Sequence, residues 1–322
     1  MRAWLPEREV HGPIRATERD IEGLNRVFAD SFTDRYRRDG LVGVRVPRLN
    51  PVIWRYALLD AGDGAMLWRD EQEEVAGFNL AHRCGREGWM GPLAVRTDRQ
   101  AAGIGKAVVR AAADWLIAQG VTTLGLETMP RTVDNIGFYT RLGFEPGYLT
   151  VTLSTDLARR GRGAPALLSQ QRGERQAESV AGVRDLVESL APGYDFSREI
   201  LLTAELGLGD TVLVPGDDAL DAMALWHSMP LAEGRAVDEV RVLKLAARND
   251  KAFIAAVAAV ESAAARAGIY RVAIRCQTRY ADALRALVAR GYQVRWTDLR
   301  MTLADYPERH PATGVLFSNW EI

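Results

Sequence analysis

The sequence predicts an α/β chain with a mixed sheet, built from two tandem copies of one fold. The first sign is an ungapped internal match. The segment ending at Phe144 aligns with the one ending at Tyr292, and the glycines Gly120 and Gly143 recur as Gly268 and Gly291 at a constant offset of 148. The second is a regular exchange of strand-like and helix-like apolar patterns along each copy. The third is a break near 155–178, rich in Arg, Gly and Gln and poor in periodic apolar residues.

In chain order, a short strand near Ile14 precedes an amphipathic helix over 18–32. The runs 64–71, 75–83 and 88–95 read as consecutive strands separated by short polar turns. Ile104, Val108, Ala112 and Trp115 recur at helical spacing and give one buried stripe. A strand through Leu124 and Leu126 follows, then a helix stopped by Gly143 and a closing strand. In the second copy Val272 and Ile274 fall at the same strand positions. Glycine just past a helix end adopts the left-handed conformation at little steric cost. The first copy is thus βα, an antiparallel meander, then βαβαβ, which makes its sheet mixed. The expected domains are 1–155 and 179–322, joined by a linker over 156–178. The second ends in an extended tail anchored by Phe317 and Trp320.

At 322 residues the chain exceeds the usual size of one domain. Its 41 basic and 42 acidic residues nearly balance, so neither nucleic acid nor an anionic membrane surface is an expected partner. No apolar run is long enough to span a bilayer, and the first residues lack the apolar core of a signal peptide, so a cytoplasmic location is expected. Cys84 and Cys276 and the histidines at 11, 82, 227 and 310 show no ligand spacing, so no metal is expected.

The chemistry concentrates after Val95, where a strand ends, a polar loop follows, and Gly103 and Gly105 open a helix. Such a loop presents unpaired backbone N–H groups at the positive end of a helix dipole, which suits a phosphate or pyrophosphate. A P-loop would need glycine at Gln100 and Ser or Thr at Ala107; a dinucleotide fingerprint would need glycine at Val108. Both fail. Gln100, Gly103 and Gly105 instead fit the pattern Gln or Arg, two residues, Gly, one residue, Gly or Ala. With the preceding Leu93, Ala94 and Val95 and the later Asn135, Tyr139, Gly143 and Phe144, this resembles the GNAT superfamily over most of 14–153. The second copy resembles the same fold without its motifs. The whole chain therefore looks like two tandem acyl-CoA N-acyltransferase folds.

That resemblance implies acetyl transfer from acetyl-CoA, as co-substrate, directly to an amine. Backbone N–H groups of Ala101, Ala102, Gly103, Ile104, Gly105 and Lys106 would hold the CoA pyrophosphate, with Gln100 orienting the loop. The Lys106 side chain is either near the phosphates or an exposed helix lysine. The strand carrying Leu93, Ala94 and Val95 would splay from its neighbour and pair with the pantetheine arm, one of its N–H groups polarising the thioester carbonyl. Tyr139 would protonate the departing thiolate, the alternative being a core aromatic. Asn135 contacts the cofactor or caps its helix. Glu127 is the first candidate for the base; Glu87 and His82 follow, and each of the three also reads as structural. No nucleophile–base pair is visible, which agrees with direct attack.

Applying the same offset, Gln100, Gly103, Gly105 and Tyr139 become Arg248, Lys251, Phe253 and Leu287. The second copy is thus expected to bind no CoA in the family manner. It would instead cover a sheet edge, shape the acceptor pocket, where Trp226, His227 and Trp296 stand as cleft or core, or mediate a homodimer. The acceptor, a small-molecule or protein amine, would be selected by 31–59 and the inter-domain cleft. A non-catalytic acyl-CoA-binding or regulatory protein is the competing reading. Tyr139 favours catalysis, since a pure binder needs no thiolate acid.

Overall fold

A computed structural model describes residues 10–100, 102–157 and 163–320. Strand β1 (Val10–Arg15) leads into α1 (Ile21–Arg38), which runs six residues beyond the predicted helix. Helix α2 (Pro51–Ala61) starts where Asn50 accepts the Val52 N–H at 3.0 Å and Pro51 fills the first helical position. The meander β2 (Ala65–Asp70), β3 (Val75–Cys84), β4 (Glu87–Val95) follows as the alternation predicts. Next come α3 (Ile104–Ala118), β5 (Thr123–Thr128), α4 (Val133–Thr140) and the long β6 (Phe144–Asp156).

The short β7 (Ala166–Leu167) precedes α5 (Gly173–Leu190), so the last six residues of the expected linker are helical. Residues 158–162 of that linker lie outside the described residues. The second copy continues with α6 (Ser197–Glu205), β8 (Gly209–Pro215), β9 (Leu220–His227) and β10 (Glu239–Ala247). It ends with α7 (Asp250–Arg266), β11 (Arg271–Gln277), α8 (Ala281–Ala289), β12 (Gln293–Leu303) and β13 (Val315–Ser318). The four repeat glycines 120, 143, 268 and 291 have φ of 75°, 92°, 76° and 95°, as helix stops require.

The two copies do not close separate sheets. Among the described residues there is one 13-stranded sheet, in the order β1-β2-β3-β4-β5-β12-β6-β11-β10-β9-β8-β7, with β13 paired to β10. Each copy therefore gives its closing strand to the other. Leu299 of β12 pairs with Thr128 of β5, and Val151 of β6 with Cys276 of β11. Subtracting 148 from 299 and 276 gives 151 and 128, so the exchange is reciprocal about a pseudo-twofold axis between β6 and β12. The sequence marks a closing strand in each copy without saying which strand it joins. Equivalent strands carry equivalent apolar faces, and nothing in their pattern names the partner.

Helices α1 and α2 cover one face of the first half-sheet through Leu24, Trp54 and Phe78. Helix α3 covers the other, through Val109 and Ala112 against Ala81 and Met90. These opposite coverings divide the site below. No helix among the described residues is long and apolar enough to cross a membrane.

The tail does not wrap an outer surface. Strands β10 and β11 run parallel only over Glu239–Val242 against 271–274. Beyond that point β13 inserts antiparallel against Lys244–Ala247, with Phe317 fully buried.

Candidate functional site

Strands β4 and β5 pair in parallel only from Glu87 opposite Thr123 to Met90 opposite Leu126. Beyond Met90, β4 stays with β3, and β5 follows β12. The sheet therefore splits, leaving one edge of 91–95 without a strand partner. The Arg96 N–H donates to Ala76 on β3 at 2.8 Å. Because strand residues alternate in the direction of their main-chain groups, Ala94 also faces β3, while Leu93 and Val95 face the split. The Val95 carbonyl there accepts from Ser31 Oγ and Gln100 Nε2, each at 3.0 Å. Gln100 thus ties the loop to the strand end.

Arg96 and Arg99, which the sequence reading missed, anchor the loop from beneath. Both donate to Asp70 at the end of β2, at 2.5 and 3.1 Å, and Arg99 is buried. Basic residues between a strand and a glycine loop were the available signal, but their acidic partner lies more than twenty-five residues upstream.

Gly103 caps α3 with φ 81°, a conformation that explains this glycine by itself. Gly105 is different. Its φ is not left-handed, and an added Cβ would meet only Phe138 at 3.6 Å and Val95 at 4.0 Å, ordinary contacts. Glycine inside a helix costs about 0.5–1 kcal/mol relative to alanine. The fold needs neither that cost nor the missing side chain, and the position faces the cleft. A bulky anion seated against the helix end would supply the reason, and the residues present are compatible with a CoA pyrophosphate. Of the expected donors, Ala101 lies outside the described residues. Lys106 N–H is turned to the Gly103 carbonyl at 3.1 Å, which leaves the amides of 102–105; the Lys106 side chain is exposed.

The split opens into a cleft of about 630 Å³. Leu93, Ala94, Val95, Gln100 and Gly105 line it, with Tyr139 and Asn135 from α4. Tyr139 is buried against Phe138 and Phe144, and burial raises its pKa, so the phenol keeps its proton at neutral pH. Asn135 does not cap its helix. Thr132 holds the cap position, and the Asn135 amide donates to Thr128 Oγ1 at 3.4 Å.

The second copy contributes Leu231, Arg275, Asp298, Arg300 and Trp320 to the same cleft. Arg300 is buried, with its guanidinium carbon 3.9 Å from the Trp89 ring centre. Glu127 lines the cleft but is not a free base. It accepts from Thr150 at 2.5 Å, from Arg300 at 3.1 Å and from Arg275. Burial raises its pKa, but the two guanidiniums outweigh that and hold it below the usual glutamate value. Glu87 is buried outside the cleft, accepting from Trp89 Nε1 and Ser318 Oγ at 2.8 and 2.7 Å. His82 reaches the cleft, yet its ring nitrogens face Asp60 Oδ2 at 2.6 Å and the Gly91 carbonyl at 3.0 Å. Both ring nitrogens are therefore turned to protein oxygens rather than to the open cleft. Trp226 and His227 are core, and Trp296 stands half-exposed beside Tyr36, ring centres 6.1 Å apart. Among the described residues, no three His, Cys, Asp or Glu side chains could together hold a metal ion.

Glu308 touches Arg300 at 3.0 Å, and burial raises its pKa to about 7. A carboxylate raised in the folded state stabilises most below its unfolded pKa and loses that contribution as pH rises through 7. Unfolding free energy should therefore fall from pH 6 to pH 8. Glu308→Gln should shrink that fall by about 1 kcal/mol, read from urea titrations at both pH values.

In the second copy the equivalent split is closed three ways. β13 fills it. Only two residues join β10 to α7, where eight join β4 to α3, and Asn249 caps the shortened connection. Phe253, at the position of Gly105, meets Phe317 of the tail edge to face, ring centres 5.7 Å apart.

By sequence, residues 27–144 match the family model described as Acetyltransferase (GNAT) family. No curated protein matches the chain. Among solved structures, a Pyrococcus horikoshii protein provisionally assigned as an acetyltransferase is 16% identical, covering 99% of this chain and 96% of its own, with TM-score 0.67. A tandem GNAT protein from the clavulanic acid biosynthesis pathway is 13% identical over 94% of this chain and 100% of its own, TM-score 0.56. Saccharomyces cerevisiae N-myristoyltransferase, with bound myristoyl-CoA, is 11% identical over 96% and 85%, TM-score 0.63. At these identities the likeness concerns the fold.

Proposed function

We propose that this chain, which carries the GNAT acetyltransferase family's domain through residues 27–144, is an acyl-CoA-dependent N-acyltransferase that moves an acetyl group to an amine. One observation carries the reading: the β4–β5 split, the glycine-opened helix α3 and the buried Tyr139 all meet in one cleft. The amides of 102–105 would receive the pyrophosphate. Leu93 and Val95 would pair with the pantetheine amides, and an N–H on that edge would polarise the thioester carbonyl. Tyr139, kept protonated by burial, would hand its proton to the leaving sulfur.

The test follows CoA thiol release from acetyl-CoA across a panel of amines. Tyr139→Phe should bind acetyl-CoA within about twofold of the parent but turn over about 100-fold more slowly. Unchanged turnover would remove Tyr139 from the mechanism. Tight binding without release for any amine would support a regulatory acyl-CoA binder instead.

A further inference from the structure

The division of the cleft between the two sheet faces suggests where the amine enters. The α3–α4 face carries the glycine loop, Asn135 and Tyr139. Side chains alternate along β12, so Leu299 and Met301 pack with Tyr139 on that face, while Trp296, Asp298 and Arg300 turn to the α1 face. The acceptor half of the cleft is thus built from α1 and from the second copy.

We propose that Asp298, supplied by the second copy, receives the acceptor's ammonium group in the first copy's cleft and takes its proton. This rests on the acyltransfer reading above. Register sets the level. Leu299 lies opposite Thr128, so Asp298 stands level with residue 129, three beyond Leu126; Leu93 stands three beyond Met90, the partner of Leu126. Asp298 therefore sits across β5 at the height of the main-chain N–H groups that face the split. Its two oxygens accept from Arg275 Nη2 and Trp296 Nε1, each at 3.1 Å, which leaves a lone pair on each.

The other carboxylates at this site are engaged. Glu127 has three donors, and Asp34 pairs at 2.6 Å with two guanidiniums, Arg37 and Arg38, where Asp298 shares a single one with Glu127. Arg275 is shared by Glu127 and Asp298, and Arg300 by Glu127 and Glu308. His310 beside Glu308 is kept neutral, its pKa lowered to about 4 by burial and by Arg279 and Arg300. Asp298 thus has only a share of one guanidinium, which leaves it able to pair with an alkylammonium.

The groups facing Asp298 are Arg275 from β11, Glu127 from β5, Arg300 and Trp296 from its own strand, Thr150 opposite it on β6, and Tyr36 from α1. Burial first, and Glu127 second, raise its pKa against the pull of Arg275, which suits it to accept a proton. The ammonium loses two protons overall. The first passes to Asp298 before the amine nitrogen bonds to the carbonyl carbon. The second passes from the nitrogen to water as the C–S bond breaks, the sulfur takes a proton from Tyr139, and water returns one to the tyrosine. One proton is released per turnover once both residues are reset.

The test measures kcat/KM against pH for an alkylamine, with acetyl-CoA affinity by calorimetry. In the parent, kcat/KM should fall on the acid side through a pKa above the ordinary aspartate range. Asp298→Asn should keep cofactor affinity and lose about 100-fold in kcat/KM at pH 7. Its residual rate should climb about tenfold per pH unit toward pH 9, as free amine replaces the missing base. Asp298→Glu should recover most of the loss and keep the acid limb. A full rate in Asp298→Asn, or an acid limb identical to the parent's, overturns the proposal. So does a loss of rate in both variants that matches lost cofactor binding, which marks a structural role. A parent that releases thiol keeps the acyltransfer reading even then; a parent that releases none overturns both.

Discussion

Gly105→Glu is expected to raise the melting temperature of this protein while abolishing its binding of acetyl-CoA. The two effects have opposite signs because the fold and the ligand make different demands on one position. For the fold, a glycine in the first turn of α3 is replaced by a better helix former, worth about 0.5–1 kcal/mol. The new carboxylate sits at the positive end of the helix dipole, with no acidic residue in that turn at present, and adds a few tenths more. The Cβ meets only ordinary contacts. For the ligand, the carboxylate occupies the seat of the pyrophosphate with charge of the same sign. Charge-assisted bonds from two amides, at about 1.5–3 kcal/mol each, would be lost, so affinity should drop more than 100-fold. Differential scanning calorimetry and titration calorimetry on the same sample read both effects. Unchanged affinity would mean that coenzyme A binds elsewhere. A lowered melting temperature would mean that Gly105 serves packing.

Much of this architecture could be read from residues alone, because local physics sets it. Helix-stop glycines, the alternating meander and the glycine-opened helix are all short-range signals, and Gly120, Gly143, Gly268 and Gly291 sit where such stops belong. What escaped the sequence depends on distant partners. Glu127 looked like a base because a carboxylate at a strand end is ordinarily free. Its neutralising partner Arg275 lies 148 residues away, at the equivalent position of the other copy, and meets it only because the closing strands cross over. The offset also changes within the second copy. From the β11 partner back to β4 it is 148 for Thr123 and Arg271 but 152 for Glu87 and Glu239. Four residues are missing from the connection that should hold the second cofactor loop, so the ungapped mapping of Gln100 onto Arg248 does not hold in three dimensions. Asp298 carried no motif at all. Only the cleft, the register and the pairing of its neighbours bring it into view.

The strand exchange leads to the other large expectation: residues 1–157 expressed alone should fail to fold. Without β12, strand β5 loses its partner over Gly125–Thr128, and β6 loses both neighbours, since β12 and β11 flank it. Val151 and Leu153 of β6, buried in the core of the second copy, would face water. Met301 would leave the cluster around Tyr139 and Phe144. Burying such side chains is worth about 1.5–3 kcal/mol each, and a domain's whole stability is about 5–15 kcal/mol. Three unpaired strand edges, one on β5 and two on β6, would remain as sites for aggregation. Co-expression of 1–157 with 163–322 as separate chains should restore a soluble one-to-one complex with one cooperative thermal transition. Each half alone should be insoluble, or soluble without dispersed amide resonances. A monomeric 1–157 that unfolds cooperatively near the melting temperature of the intact chain would show that the first copy can close its sheet with its own β6. The exchanged strands would then be a matter of docking, and the residues reaching the cleft from the second copy would no longer be part of a single folding unit with it.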